Sequence, residues 1–147
     1  MCFTPPGKLT PEAIADLDDT PGVYKVLPPN DKWPNGICRF LGTDKERVLF
    51  YGETGRLKGR LDDLLASIAR GNGPHVEGNL IYILNEQVDR FEMREVMFCY
   101  KCEENEKAAK TKEQRLLKKY VQRFGELPPI NSSIPNRYGD WPPHAQR

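Results

Sequence analysis

The chain predicts one mixed α/β (α+β) domain, and three observations carry that prediction. Short segments rich in valine and aromatic residues, Val23 to Leu27 and Val48 to Tyr51, have strand length and flanking turn residues. Two later stretches repeat apolar residues at the period of a helix, at 57, 61, 64, 65 and 68 and again at 109, 116, 117, 120, 121 and 124. The 147 residues, 38% of them apolar, suffice for one core and are few for two.

Taken in order, Thr10 followed by Pro11, Glu12, Ile14 and Leu17 is the pattern of a short N-capped helix with proline in its first turn. It should end before Thr20-Pro21-Gly22. Val23 to Leu27 then reads as a strand, and Pro28-Pro29-Asn30-Asp31 with Trp33-Pro34-Asn35-Gly36 is turn punctuation. Ile37 to Leu41 has enough apolar character to extend the sheet, and Val48 to Tyr51 is the next strand. A helix follows Thr54-Gly55 and stops at Gly71-Asn72-Gly73-Pro74. Residues 76–87 are ambiguous, since Leu80, Ile81, Leu84 and Val88 fit a helix while Leu80 to Leu84 alone fits a buried strand. Alternation from Phe91 through Tyr100 predicts a strand. Glu106 to Phe124 predicts a long amphipathic helix, ended by Gly125 and Pro128-Pro129. From Ser132 onward Pro135, Pro142 and Pro143 mark an irregular tail. The expected organisation is an N-terminal extension over 1–20, a compact domain over 21–131 and a proline-rich tail over 132–147.

Charge is nearly balanced, with 22 Lys plus Arg against 21 Asp plus Glu, so the whole-chain field announces no polyanionic partner. Between Lys101 and Phe124, however, eight basic residues face four acidic ones, a local surplus that suits phosphates or an ordinary solvated helix face. Neither a signal-peptide core nor a run of ~20 apolar residues occurs, which makes a cytoplasmic protein the expectation. Cys2, Cys38, Cys99 and Cys102 are then expected as free thiols. Cys99 and Cys102 have metal-ligand spacing without a second pair, so no structural zinc is expected.

Two charged residues interrupt apolar helix faces. Arg60 lies three residues after Leu57 and four before Leu64, and Glu113 lies four after Ala109 and four before Leu117. A carboxylate so placed needs a cation, a metal or hydrogen-bond donors. From spacing alone, an Arg60–Asp63 surface pair or a buried Arg60–Glu113 bridge accounts for them as well as a functional site does.

Pro21-Gly22-Val23-Tyr24, then Phe50-Tyr51-Gly52-Glu53-Thr54 with Leu57 and Arg60 five and eight residues after Gly52, then Lys112-Glu113-Gln114-Arg115-Leu116-Leu117, resemble the GIY-YIG nuclease family. The resemblance covers about Pro21 to Asn131, and its opening is most similar to the incision domains of UvrC-type DNA-repair nucleases. It implies a small, mostly antiparallel sheet flanked by helices, a helix over 76–87, and a site on the sheet face beneath the two long helices. The two tripeptide strands usually form a tight hairpin in that family; here the connection is longer. The implied activity is endonuclease hydrolysis of DNA phosphodiester bonds. Glu113 would hold one Mg2+ or Mn2+ ion that stabilises the leaving 3′ oxygen, Arg60 would contact the reacting phosphate, and Tyr24 would start the attack or orient a water. His75 and Asn131 match site residues of some members, with exposed-loop and turn roles as their plain alternatives. Arg56, Lys58 and Lys110 are candidate DNA contacts.

Two departures bear on activity. Phe50 stands where the family has a tyrosine, Tyr51 faces the opposite side of the strand, and Leu64 stands where many members have His or Tyr. A catalytically silent nucleic-acid-binding module is therefore the competing expectation, and a homodimer or protein partner would supply specificity in either case.

Overall fold

The computed structural model describes residues 2–131. Along the chain run β1 (Gly7–Lys8), α1 (Pro11–Ala15), β2 (Gly22–Leu27), β3 (Ile37–Arg39), β4 (Gly42–Asp44), β5 (Phe50–Thr54), α2 (Leu57–Arg70), α3 (Val76–Gln87), β6 (Met97–Cys102) and α4 (Glu106–Phe124). The architecture is mixed α/β, with a four-stranded sheet of order β1-β6-β2-β5 in which every pairing is antiparallel. Residues 76–87 are helical. The expected tail over 132–147 lies outside the described residues.

Helix ends follow their capping chemistry. Thr10 Oγ1 accepts from the Ala13 amide at 3.1 Å and Asn105 Oδ1 from the Ala108 amide at 2.8 Å, each satisfying an amide with no partner in its own first turn. Gly71 ends α2 in the left-handed region at φ 80°, where a side chain would be strained.

Strand residues alternate between two cores. Tyr24, Val26 and Phe50 pack with Leu57, Leu61, Leu64 and Ile81 of α2 and α3, whereas Leu27, Tyr51 and Cys99 pack with Leu117, Tyr120 and Phe124 of α4. The sheet thus lies between two helical layers. Leu9 and Ile14 join the α2 side, so the first twenty residues contribute a strand and a helix to the same fold. Among the described residues no helix is long and apolar enough to cross a membrane.

Three expectations about strands are corrected. Residues 37–41 do not extend the main sheet: β3 pairs only with β4, and the hairpin is tied to the end of α4 by the Leu41 amide on the Phe124 carbonyl at 2.9 Å and by Arg39 on Glu126. The strand expected from Val48 begins at Phe50, because the Asp44 carboxylate takes the amides of Glu46, Arg47 and Val48. The strand expected from Phe91 begins at Met97, because the Asn85 side chain takes both the amide and the carbonyl of Met93.

Candidate functional site

The β2–β5 register sets Tyr24 opposite Gly52. A Cβ at Gly52 would lie 2.3 Å from Tyr24 Cζ, so the phenol ring crosses a place that only glycine leaves open. The ring is 1% exposed, and its oxygen is 2.7 Å from His75 Nε2. His75 caps α3: its Nδ1 accepts the Gly78 amide at 3.2 Å, and its own amide donates to Ser67 Oγ at 3.0 Å. With Nδ1 accepting, the single proton of a neutral imidazole sits on Nε2 and is donated to Tyr24. Burial, with the Arg60 charge adding to it, pushes the His75 pKa down to about 3, which keeps the ring neutral at physiological pH. The interaction of Nδ1 with Glu77 at 3.9 Å is accordingly no ion pair.

Arg60 projects from α2 towards the same phenol. Its Nη1 donates to the Pro74 carbonyl at 3.3 Å, and its ion-pair partner is Asp63, one turn on at a loose 3.9 Å. With 30% of the side chain exposed, Arg60 also lines an open cavity of about 500 Å3 shared with Thr54, Gly55 and Glu106. Burial raises the Tyr24 pKa well above the ordinary 10, Arg60 opposes that shift, and the charges of Glu77 and Glu113 reinforce it. Burial likewise raises the Glu77 carboxyl, against the pull of Arg60. The phenol is neutral under ordinary conditions.

Glu113 is 7% exposed on the inward side of α4, which packs on β5 and β2 from the face opposite α2. Tyr24, His75 and Arg60 gather on the α2 face, and Glu113 bears on the Tyr24 phenol from the α4 side of the sheet. Magnesium is commonly held by one or two carboxylates completed by water and substrate phosphate. A single buried carboxylate at Glu113 fits that mode; among the described residues no group of three or more His, Cys, Asp or Glu side chains forms a fuller cage.

The remaining expected residues are placed as follows. Phe50 meets Tyr24 edge-on with ring centroids 6.2 Å apart and lies 5.7 Å from the His75 ring, while Leu64 is wholly inside the core. Asn131 binds the edge of β5: its Oδ1 accepts the Tyr51 amide at 3.0 Å and its Nδ2 donates to the Tyr51 carbonyl at 3.1 Å. Arg56 is bonded to Asp19 at 2.9 Å, Lys58 approaches the Ala15 carbonyl at 3.5 Å, and Lys110 pairs with Glu106 at 3.2 Å. Gly59 and Arg56, in that order, lower the Asp19 carboxyl by hydrogen bonding. Sequence reasoning missed Glu77, Asp44 and Tyr120. Of these only Asp44 carries a local signal, an aspartate able to bond amides two and three residues on.

No family model matches the chain, and neither a curated protein nor a solved structure does.

Proposed function

We propose that this protein is a metal-dependent endonuclease that hydrolyses DNA phosphodiester bonds at a GIY-YIG-type site formed by Tyr24, Arg60, His75 and Glu113. The observation that carries the reading is Arg60: one guanidinium lines an open cavity and faces a buried phenol that His75 holds at 2.7 Å. In that cavity Arg60 binds a phosphate and neutralises the charge that grows on its oxygens. His75 holds the phenol oxygen by donation from Nε2, which leaves the Tyr24 hydroxyl proton to orient a water or a phosphate oxygen. Because burial keeps Tyr24 protonated, it serves as a base only when added positive charge favours the phenolate. A Mg2+ or Mn2+ ion on Glu113 would supply Lewis-acid stabilisation of the leaving oxygen.

A silent nucleic-acid-binding module is the second reading, and the deep burial of Tyr24 together with Phe50 beside it favours that alternative. Cleavage of branched, nicked and duplex DNA with Mg2+ or Mn2+ separates the two. The wild type should cut, Glu113→Gln should bind without cutting, and Arg60→Ala should lose both cutting and part of the affinity. A folded, fully active Glu113→Gln protein rules out the metal role. A loss of about 3 kcal/mol in stability, with activity falling only in step, would instead mark Glu113 as half of a buried pair.

A further inference from the structure

On the α4 face, away from Tyr24, lies a second cavity of about 320 Å3, at the small end of the ~300–1,000 Å3 range of ligand sites. Its floor is aromatic, formed by Tyr51, Tyr120 and Phe124, and its rim carries Lys45, Lys119 and Arg123. Tyr120 and Phe124 lie with centroids 4.6 Å apart, and Tyr51 meets Tyr120 edge-on at 6.4 Å.

The acidic groups here are already engaged. Asp44 accepts the amides of Glu46, Arg47 and Val48 and the Tyr120 hydroxyl, and Glu46 pairs with Lys25 at 3.0 Å. Tyr51 is 8% exposed and lines the cavity. A phenol on a cavity wall can donate its hydroxyl proton to a ligand that offers an acceptor. Burial also raises the Tyr51 pKa, which keeps the hydroxyl a donor.

We propose that this cavity holds one unpaired nucleotide of a DNA strand, its base against Tyr51, Tyr120 and Phe124 and its phosphate between Lys119 and Arg123. The proposal rests on the nucleic-acid reading above and names the substrate class: DNA with an unpaired base beside the site. Aromatic floors with cationic rims bind single strands in a sequence-tolerant way, because every base has a face to stack. A strand is favoured over a free nucleotide because the same helix carries further cations: Lys107, Lys112 and Arg115, towards the start of α4, line a cavity of about 430 Å3.

The test is anisotropy with a labelled single-stranded oligonucleotide, the same sequence as a duplex, and a deoxynucleoside monophosphate, all in chelator so that no cutting occurs. Lys119→Ala with Arg123→Ala should weaken single-strand binding by about tenfold and flatten its salt dependence. Tyr51→Phe, which removes only the hydroxyl, should weaken single-strand binding several-fold and leave duplex binding unchanged. Unchanged single-strand affinity in both variants overturns the proposal, as does an equal loss for single strand and duplex. Monophosphate binding as tight as the oligonucleotide would assign the cavity to a free nucleotide instead. A protein that binds single strands through this cavity but never cuts disproves the nuclease reading alone, whereas one that cuts with the cavity neutral disproves only the nucleotide site.

Discussion

Beneath α4, the Tyr120 hydroxyl donates to Asp44 at 2.9 Å, and the same carboxylate takes three backbone amides; beneath α2, the Tyr24 phenol meets a neutral imidazole and an arginine whose side chain is 30% exposed. Both faces of one sheet bury a tyrosine oxygen, but only one leaves it an outlet. A carboxylate surrounded by four donors is a fastening, since each oxygen is occupied and its charge is spread over hydrogen bonds. A phenol held by a proton-bearing nitrogen keeps its own proton to give, and Arg60 connects it to an open cavity. The difference teaches that burial by itself does not separate scaffold from site. What separates them is whether every donor and acceptor is already committed.

The largest expected effect falls on the fastening. Asp44→Ala leaves three amides and a buried hydroxyl without their acceptor and should cost about 3–5 kcal/mol, read as a lower denaturant midpoint. Cleavage of saturating duplex DNA per folded molecule should stay unchanged, because the unpaired-nucleotide cavity that Asp44 borders is not used by duplex; a fall there would tie this carboxylate to the chemistry. Gly52→Ala should cost less, about 1–3 kcal/mol, because its Cβ would displace the Tyr24 ring. Here, however, cutting should drop far more than stability does. Full activity in a folded Gly52→Ala protein would show that the phenol's position is irrelevant.

Near neutral pH the smallest effect is that of His75, which emerges only on acidification. Folded His75 has a pKa near 3 against the ordinary 6.5, so between those values the unfolded chain holds a proton that the folded one lacks. Its stabilising contribution is complete above about 6.5 and declines as pH falls towards 3, by at most about 1.4 kcal/mol per pH unit. His75→Gln should flatten that part of the melting-temperature profile. Parallel profiles for the two proteins would show that the imidazole is not held neutral.

Much of this contrast was legible in the sequence. Leucine spacing gave α2, Thr10 gave the start of α1 and Gly125 the end of α4, and strand parity already set Phe50 and Tyr51 on opposite sides. Which side of the sheet each helix covers was not legible, because a periodic pattern defines an apolar face without saying what it meets. The starts of β5 and β6 were misplaced for a related reason. Side chains of Asp44 and Asn85, one six residues before Phe50 and the other twelve before Met97, take backbone groups that a strand would otherwise use. His75 shows the same limit, since only the fold turns a loop histidine into a helix cap with a fixed tautomer.

Asn131 has a consequence beyond the site. β5 is an edge strand, and such edges offer unpaired amides and carbonyls to any passing chain. At Tyr51 both groups are taken by the Asn131 carboxamide, and the Ile130 amide takes the Leu49 carbonyl one step before. A single side chain thus imitates one residue of a fifth strand. At this one position the pairing groups that another strand would need are occupied by an asparagine some eighty residues downstream.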